Sequence, residues 1–269
     1  MDITKYYAAD GEKPLDTIKP DGGFTSIFRS IACVGDSLSS GEFESTDPVN
    51  GGSGYHDMFE YSWGQYIARA TGAKVYNFSA GGMTALVYMT GWGEGMGCFD
   101  PEKAAQAYII ALGVNDIINQ KQPIGTVDDI NFDEPEKSEP TFTGYYGRIL
   151  LRYKAIQPRA RFFLMTIPRE SEDTSSCEER ICAEHAALLH EIADKFDHTY
   201  VLDFNKYAPV YDAEFKRNFY LGGHMNAAGY RLTADMVMSY IDYIIRNNPE
   251  DFAEVGFIGT DLHNVNGKW

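Results

Sequence analysis

The chain has 269 residues, of which 44% are hydrophobic and 14% aromatic, a composition typical of a folded globular protein. Its 39 acidic and 23 basic residues leave a formal net charge of −16. Because that charge repels phosphate backbones and anionic lipid surfaces, we expect neither a nucleic acid nor a membrane partner.

The chain shows no targeting segment and no paired-cysteine motif. The N-terminus lacks a basic segment followed by an apolar stretch, and no run of 18 apolar residues occurs, so neither a signal peptide nor a transmembrane helix is predicted. The four cysteines are scattered without C-x-x-C spacing. These features favour a reducing, cytoplasmic setting.

Short apolar runs alternate along the chain with segments of helical periodicity. Strands are predicted at residues 30–35, 75–79, 107–113, 160–167 and 199–204. Such alternation predicts right-handed crossovers and a parallel sheet covered on both faces. We therefore expect one α/β domain spanning residues 1–269, with its core at about 30–247. Its predicted architecture is a flavodoxin-like α/β/α sandwich around a five-stranded, mainly parallel sheet.

Four helices are predicted from apolar residues at helical spacing, which we interpret as core packing. The first contains Trp63 and stops at Gly72, and the second begins with Thr143 as its cap and ends at Pro158. The third covers residues 178–196, and the last runs from about Tyr230 to Ile245.

Two long connections interrupt this pattern. Residues 41–61 contain glycines and the sequence Tyr55-His56-Asp57, whereas residues 118–142 are acidic and contain three prolines. Connections of this length usually cover a site or move. We interpret the acidic one as a solvated surface excursion, with a lid over the site as the alternative.

Polar residues and glycines follow the first three predicted strands. Ser37 follows the first strand, Gly82 the second and Asn115 the third. Ligands of open α/β sheets bind at the carboxyl ends of the strands, so these residues are candidates for one site. We expect Asp36 and Asp116, their neighbours, to bond loop backbones, with a tuning role of Asp116 in the site as the alternative.

A histidine in a glycine-rich turn completes the candidate set. His224 follows Gly222-Gly223 and precedes the last predicted helix. Histidine titrates near neutral pH, as a general base requires. His56 lies in the first long connection, and we expect it to contact substrate at most.

The order of these residues resembles the GDSL, or SGNH, hydrolase superfamily, named for Ser, Gly, Asn and His in four separate blocks. The blocks match Gly35-Asp36-Ser37-Leu38-Ser39, Asn77 with Gly82, Gly113 to Asp116, and His224. The resemblance extends from about residue 30 to 245. It implies the sandwich fold expected above and an ester hydrolase.

The resemblance also implies a division of labour within the site. Ser37 would attack an acyl carbonyl after His224 removes its proton, which gives an acyl-enzyme. The backbone N–H groups of Ser37 and Gly82 and the side-chain amide of Asn115 would form the oxyanion hole. No cofactor and no metal is expected.

The expected partner is a small-molecule ester. Deacetylases are frequent in the family, so we expect removal of acetyl groups from small acylated carbohydrates, with Tyr55 and Trp92 as aromatic contacts. A lipase or thioesterase for longer acyl chains is one alternative. A non-catalytic carbohydrate-binding relative is the other.

One residue departs from the family pattern. The family usually has Asp three residues before the catalytic His, where this chain has Leu221. The Nδ1 proton of His224 would then be accepted by a backbone carbonyl near Leu221 or by a distant carboxylate, with Asp203 and Asp212 as candidates. We favour the carbonyl, which predicts a Ser–His dyad.

Overall fold

A five-stranded parallel sheet forms the centre of the computed structural model, which describes residues 3–264. When only the five strands of this sheet are counted along the chain, their spatial order is 2-1-3-4-5, the order of flavodoxin-like folds. The predicted fold class is therefore confirmed. The strands of residues 3–264 are β1 (Ser30–Gly35), β2 (Glu42–Thr46), β3 (Ser53–Asp57), β4 (Lys74–Ser79), β5 (Ala107–Ala111), β6 (Arg161–Met165), β7 (Thr199–Leu202), β8 (Tyr220–Leu221) and β9 (His224–Met225).

The central sheet has the order β4-β1-β5-β6-β7, and its strands begin and end within two residues of the predicted bounds. The strand pairs β2–β3 and β8–β9 form two separate antiparallel hairpins. The helices of the described residues are α1 (Ser37–Ser40), α2 (Trp63–Thr71), α3 (Ala85–Val87), α4 (Gly93–Gly95), α5 (Phe142–Ile156), α6 (Cys177–Ala193), α7 (Phe204–Tyr207), α8 (Ala213–Phe219), α9 (Ala227–Asn247) and α10 (Pro249–Phe252).

Both faces of the sheet are covered, which explains why β1 is apolar from Ile31 to Val34. Ile31 and Cys33 pack into the core beneath α2 and α9. Ala32 and Val34, on the opposite face, pack into the core beneath α5 and α6. Successive side chains of a strand alternate between faces, so one short segment contributes to both cores.

The cap of α5 differs from the prediction. The side chain of Thr141 accepts a hydrogen bond from the Gly144 N–H at 3.1 Å and is the N-cap. Thr143, the predicted cap, lies inside the helix and donates to the Ile124 carbonyl at 2.5 Å. Both threonines precede an apolar helical pattern, and the backbone bonds of the incoming loop decide between them.

The two long connections have different structures. Residues 41–61 are not irregular, because they contain the β2–β3 hairpin. Residues 118–142 lie mostly on the surface, which both interpretations of this connection allow. Their C-terminal end is fixed by hydrogen bonds from Phe142 N to Pro123 O (2.9 Å) and from Thr143 N to Ile124 O (3.0 Å).

The sheet order places a topological switch point between β1 and β5, where the crossovers leave in opposite directions. Crevices outside the carboxyl ends of such strands are where α/β folds bind ligands. No helix within residues 3–264 is long and apolar enough to cross a bilayer.

Candidate active site

Ser37 is the first residue of α1 and lies directly beyond β1, at the switch point. Asp36 is the N-cap, since its Oδ1 accepts a hydrogen bond from Leu38 N–H at 3.0 Å. Burial raises the pKa of Asp36 to about 7, and the negative charges of Asp116 and Glu42 add to the effect. The cap fixes the backbone on both sides of the partly exposed Ser37.

The short β8–β9 hairpin brings His224 to this serine. Its two-residue turn is Gly222-Gly223, and Gly222 has a positive φ of 64°, which favours glycine. His224 Nε2 lies 3.0 Å from Ser37 Oγ. Asn226 then caps α9 by accepting from Gly229 N–H at 2.9 Å, so the histidine is held between a tight turn and a helix start.

Asn115 lies in a π-helical turn, Val114–Asn119, directly beyond β5. Its Nδ2 donates to the Met83 carbonyl at 3.2 Å, and its Oδ1 accepts from Asn119 Nδ2 at 2.8 Å. An amide nitrogen carries two hydrogens, so one is left to donate to a ligand. Gly82 precedes Met83, is exposed and has open space where a Cβ would lie.

A buried carboxylate ties the second and third loops together. Asp116 Oδ1 accepts a hydrogen bond from the Ala85 N–H at 2.8 Å. Burial raises the pKa of Asp116 to about 6. Asp36 and Asp116 thus bond loop backbones, as expected from the sequence.

Two carboxylates that sequence reasoning missed flank the histidine. Alternation along β2 places Glu42 and Glu44 on one face and Phe43 on the other. Glu42 Oε1 is 3.1 Å from His224 Nε2, and Glu44 Oε2 is 3.8 Å from His224 Nδ1. The Glu-x-Glu alternation directly after the first block indicates that the two side chains share one face of a strand, but it does not indicate their proximity to His224.

Phe43 anchors this hairpin to the body of the protein. Its ring packs against Tyr61 and Tyr230, with centroid separations of 5.7 and 5.5 Å. The Tyr230 hydroxyl also donates to the Glu42 carbonyl at 2.6 Å. These contacts fix which face of β2 points toward His224.

His224 Nδ1 is buried and has no hydrogen-bond partner among the described residues. The expected bond to a backbone carbonyl near Leu221 is therefore absent. Neither distant candidate replaces it, since Asp203 accepts from Lys206 N–H and contacts His190, and Asp212 caps α8.

The predicted substrate contacts lie in different places. Tyr55 is 60% exposed, and its ring lies edge-on to His224 with centroids 5.6 Å apart. His56, the next residue, belongs to the other face of the hairpin and contacts Ser45 Oγ at 2.8 Å. The ring of Trp92 packs against the buried ring of Tyr88, with centroids 5.5 Å apart. The structure thus brings only Tyr55 of these three to the histidine.

A small, mainly apolar cavity lies at the carboxyl ends of β5 and β6, and Asp36, Leu38 and Ser39, next to the serine in the chain, belong to its lining. Its volume is about 100 Å³. The lining includes Leu38, Val114, Ile167, Pro168 and Tyr220. Within residues 3–264, no group of three or more His, Cys, Asp or Glu side chains could hold a metal ion.

Comparison with known proteins places the chain in a family. The model of the GDSL-like Lipase/Acylhydrolase family matches residues 33–232. The chain belongs to this family. This protein is accordingly a carboxylic ester hydrolase. A search of curated proteins gave no match.

Solved structures share the fold at low sequence identity. A family two carbohydrate esterase from Clostridium thermocellum, in complex with cellohexaose, is 16% identical, with TM-score 0.54 over 89% of this chain and 66% of that one. A possible lipase from Chitinophaga pinensis is 14% identical, with TM-score 0.55 over 82% and 98%. The acetyl xylan esterase AlAXEase is 16% identical, with TM-score 0.51 over 79% and 99%.

Proposed function

We propose that the protein is a serine esterase in which Ser37 is the nucleophile and His224 the general base. The observation that carries the proposal is the 3.0 Å contact between Ser37 Oγ and His224 Nε2 at the switch point of the sheet. That distance is within the range for direct proton transfer from a hydroxyl to an imidazole.

The reaction has two halves. Ser37 Oγ bonds to the acyl carbon while its proton passes to His224 Nε2 and the carbonyl π electrons move onto oxygen. The tetrahedral intermediate collapses, the carbon–alkoxide bond breaks, and the leaving alcohol takes the proton from Nε2. Water then attacks the acyl-enzyme by the same route, which releases the carboxylic acid and restores the Ser37 hydroxyl.

The oxyanion is stabilised by donors that are already oriented. The backbone N–H groups of Ser37 and Gly82 and the remaining Asn115 Nδ2 hydrogen are the proposed donors. Asn115 is prealigned because its amide is held between Met83 and Asn119. Such prealignment is what makes an oxyanion hole effective, because no reorganisation is needed as charge develops.

The acyl group is proposed to be short. The apolar cavity beside Leu38 has a volume of about 100 Å³, well below the roughly 300–1,000 Å³ of pockets for larger ligands. Leu38 lines this cavity and adjoins Ser37 in the chain, so we propose that the acyl group is accommodated there. An acetyl group fits such a space, whereas a long chain does not.

The alcohol is proposed to be a neutral carbohydrate. Tyr55 presents an exposed ring beside His224, suited to packing against a sugar. Glu42 and Glu44 make this side of the site acidic, which disfavours anionic substrates such as thioesters of phosphorylated carriers. Structural relatives named as carbohydrate esterases agree with this proposal.

The experiment compares wild type, Ser37→Ala and the remote control Ser26→Ala on aryl acetate, butyrate and octanoate. We expect kcat/KM to fall with acyl length in wild type and Ser26→Ala, and only background turnover in Ser37→Ala. A preference for octanoate would favour a lipase, and no turnover of any ester by wild type would favour a non-catalytic relative. Tyr55→Ala should raise KM for an acetylated oligosaccharide but not for aryl acetate.

A further inference from the structure

We infer that Glu44 is a positioning residue for His224, supplying from β2 the negative charge that the family usually supplies from the position of Leu221. The inference rests on the proposed role of His224 as general base. It converts the expected Ser–His dyad into a triad whose carboxylate comes from an inserted hairpin.

The carboxylate of Glu44 is held against the turn that carries the histidine. Its Oε2 accepts a hydrogen bond from Gly223 N–H at 2.6 Å. A Cβ built at Gly222 would overlap the same oxygen, so a larger residue at this position would displace the carboxylate from its place against the turn. Glu44 and His224 are therefore fixed to the same short segment of backbone.

Glu44 lies on the side of the His224 imidazole where the ring nitrogen has no hydrogen-bond partner among the described residues. Nδ1 is buried without a hydrogen-bond partner among the described residues, and the Glu44 Oε2 atom lies 3.8 Å from it. To accept the Ser37 proton at Nε2, neutral His224 must carry its own proton on Nδ1. A carboxylate on the Nδ1 side favours that tautomer and stabilises the imidazolium formed during attack.

A second carboxylate, that of Glu42, acts against the tautomer with its proton on Nδ1. Glu42 Oε1 lies 3.1 Å from Nε2 and favours a proton on that nitrogen, which is the unproductive tautomer. Glu44 opposes this bias from the other side of the ring. The 3.8 Å separation is longer than a hydrogen bond, and catalytic contacts of this kind commonly shorten once the reacting complex forms.

The first test is Glu44→Gln, measured on aryl acetate beside Glu60→Gln. Glutamine keeps an oxygen that can accept from Gly223 N–H, so the substitution removes the charge and preserves the turn. We expect kcat to fall about 10²- to 10³-fold with KM little changed, less than the roughly 10⁴-fold loss on disabling a fully hydrogen-bonded triad acid. Glu60, exposed on the neighbouring turn Phe59–Tyr61, should be replaceable without loss.

The second test is rescue. Leu221 is 47% exposed and pairs with His224 across the turn, so a carboxylate can be introduced there without disturbing the core. Glu44→Ala should lose activity, and Glu44→Ala with Leu221→Asp should regain at least about tenfold in kcat, because the aspartate takes the family's usual place. A purely structural role of Glu44 in holding the turn predicts no such rescue.

The outcomes separate the two proposals. A Glu44→Gln variant within about threefold of wild type, or a folded double variant without rescue, would overturn the role of Glu44. Inactive wild type, or full activity in Ser37→Ala, would instead overturn the serine mechanism itself. Urea unfolding of every variant establishes that the comparison is made between folded proteins.

Discussion

Ser37 Oγ and His224 Nε2 lie 3.0 Å apart, although 187 positions separate the two residues in the chain. His224 lies on one small hairpin outside the central sheet, and Glu44 of a second hairpin accepts a hydrogen bond from Gly223 N–H in its turn. The sheet positions Ser37, one hairpin carries His224, and the other places Glu42 and Glu44 beside it.

Replacing Asn115 by alanine should lower turnover on aryl acetate by about 10²- to 10³-fold, the usual effect of losing one oxyanion-hole donor. KM should change little, because the interaction strengthens only as charge develops. Steady-state kinetics test this. The matched variant Asn119→Ala removes only the group that holds the Asn115 carbonyl oxygen. Turnover of Asn119→Ala should fall by about tenfold or less. An Asn115→Ala variant as active as Asn119→Ala would argue against Asn115 as an oxyanion-hole donor.

Substituting Asp203 or Asp212 by alanine should leave turnover within about tenfold of wild type, because neither carboxylate contacts His224. Both residues cap helices, so each substitution should instead lower the free energy of unfolding by about 1 kcal/mol. Kinetics and urea unfolding measured on the same samples separate the two effects. A loss near 10⁴-fold at either aspartate in a folded protein would identify it as the acid of the triad.

Stability should decline with rising pH because of Asp36. Its pKa in the folded protein is about 7, above the ordinary value of 3.8, so the folded state binds more protons than the unfolded state between these values. The stabilisation is complete below about pH 4 and is lost as pH rises through about 7. The resulting loss is on the order of 4 kcal/mol.

Asp36→Asn isolates this contribution, since the amide oxygen can still accept from Leu38 N–H while the titrating group is removed. Urea unfolding at about pH 5 and about pH 8 should show a smaller decrease in the free energy of unfolding for the variant than for wild type. Equal decreases in both proteins would mean that Asp36 is not the group responsible.

The sheet was predictable from sequence because its strands are buried on both faces. β1 and β5 are continuous apolar runs, and a polar or glycine-rich turn follows each at the carboxyl edge. Short-range signals of this kind depend on local residues alone, which is why the sequence suffices to place Ser37 and Asn115 at one edge of the sheet.

The hairpin at residues 42–57 was not predictable in the same way. Its strands are polar and mostly exposed, and only Phe43 contributes an apolar anchor. Its position beside His224 is set by contacts with α9, far along the chain. For the same reason, sequence reasoning sought the histidine's acid near Leu221 and could not find Glu44, whose proximity arises only from tertiary packing.

The most direct measurement is to label the nucleophile and locate the label. An aryl fluorophosphonate should form an adduct on Ser37 of wild type, identified by peptide mass mapping, and no adduct on Ser37→Ala. His224→Ala should be labelled far more slowly, because the serine has lost its base. An adduct on Ser39 or Ser40, or equally fast labelling of Ser37→Ala, would contradict the assignment of Ser37 as the nucleophile.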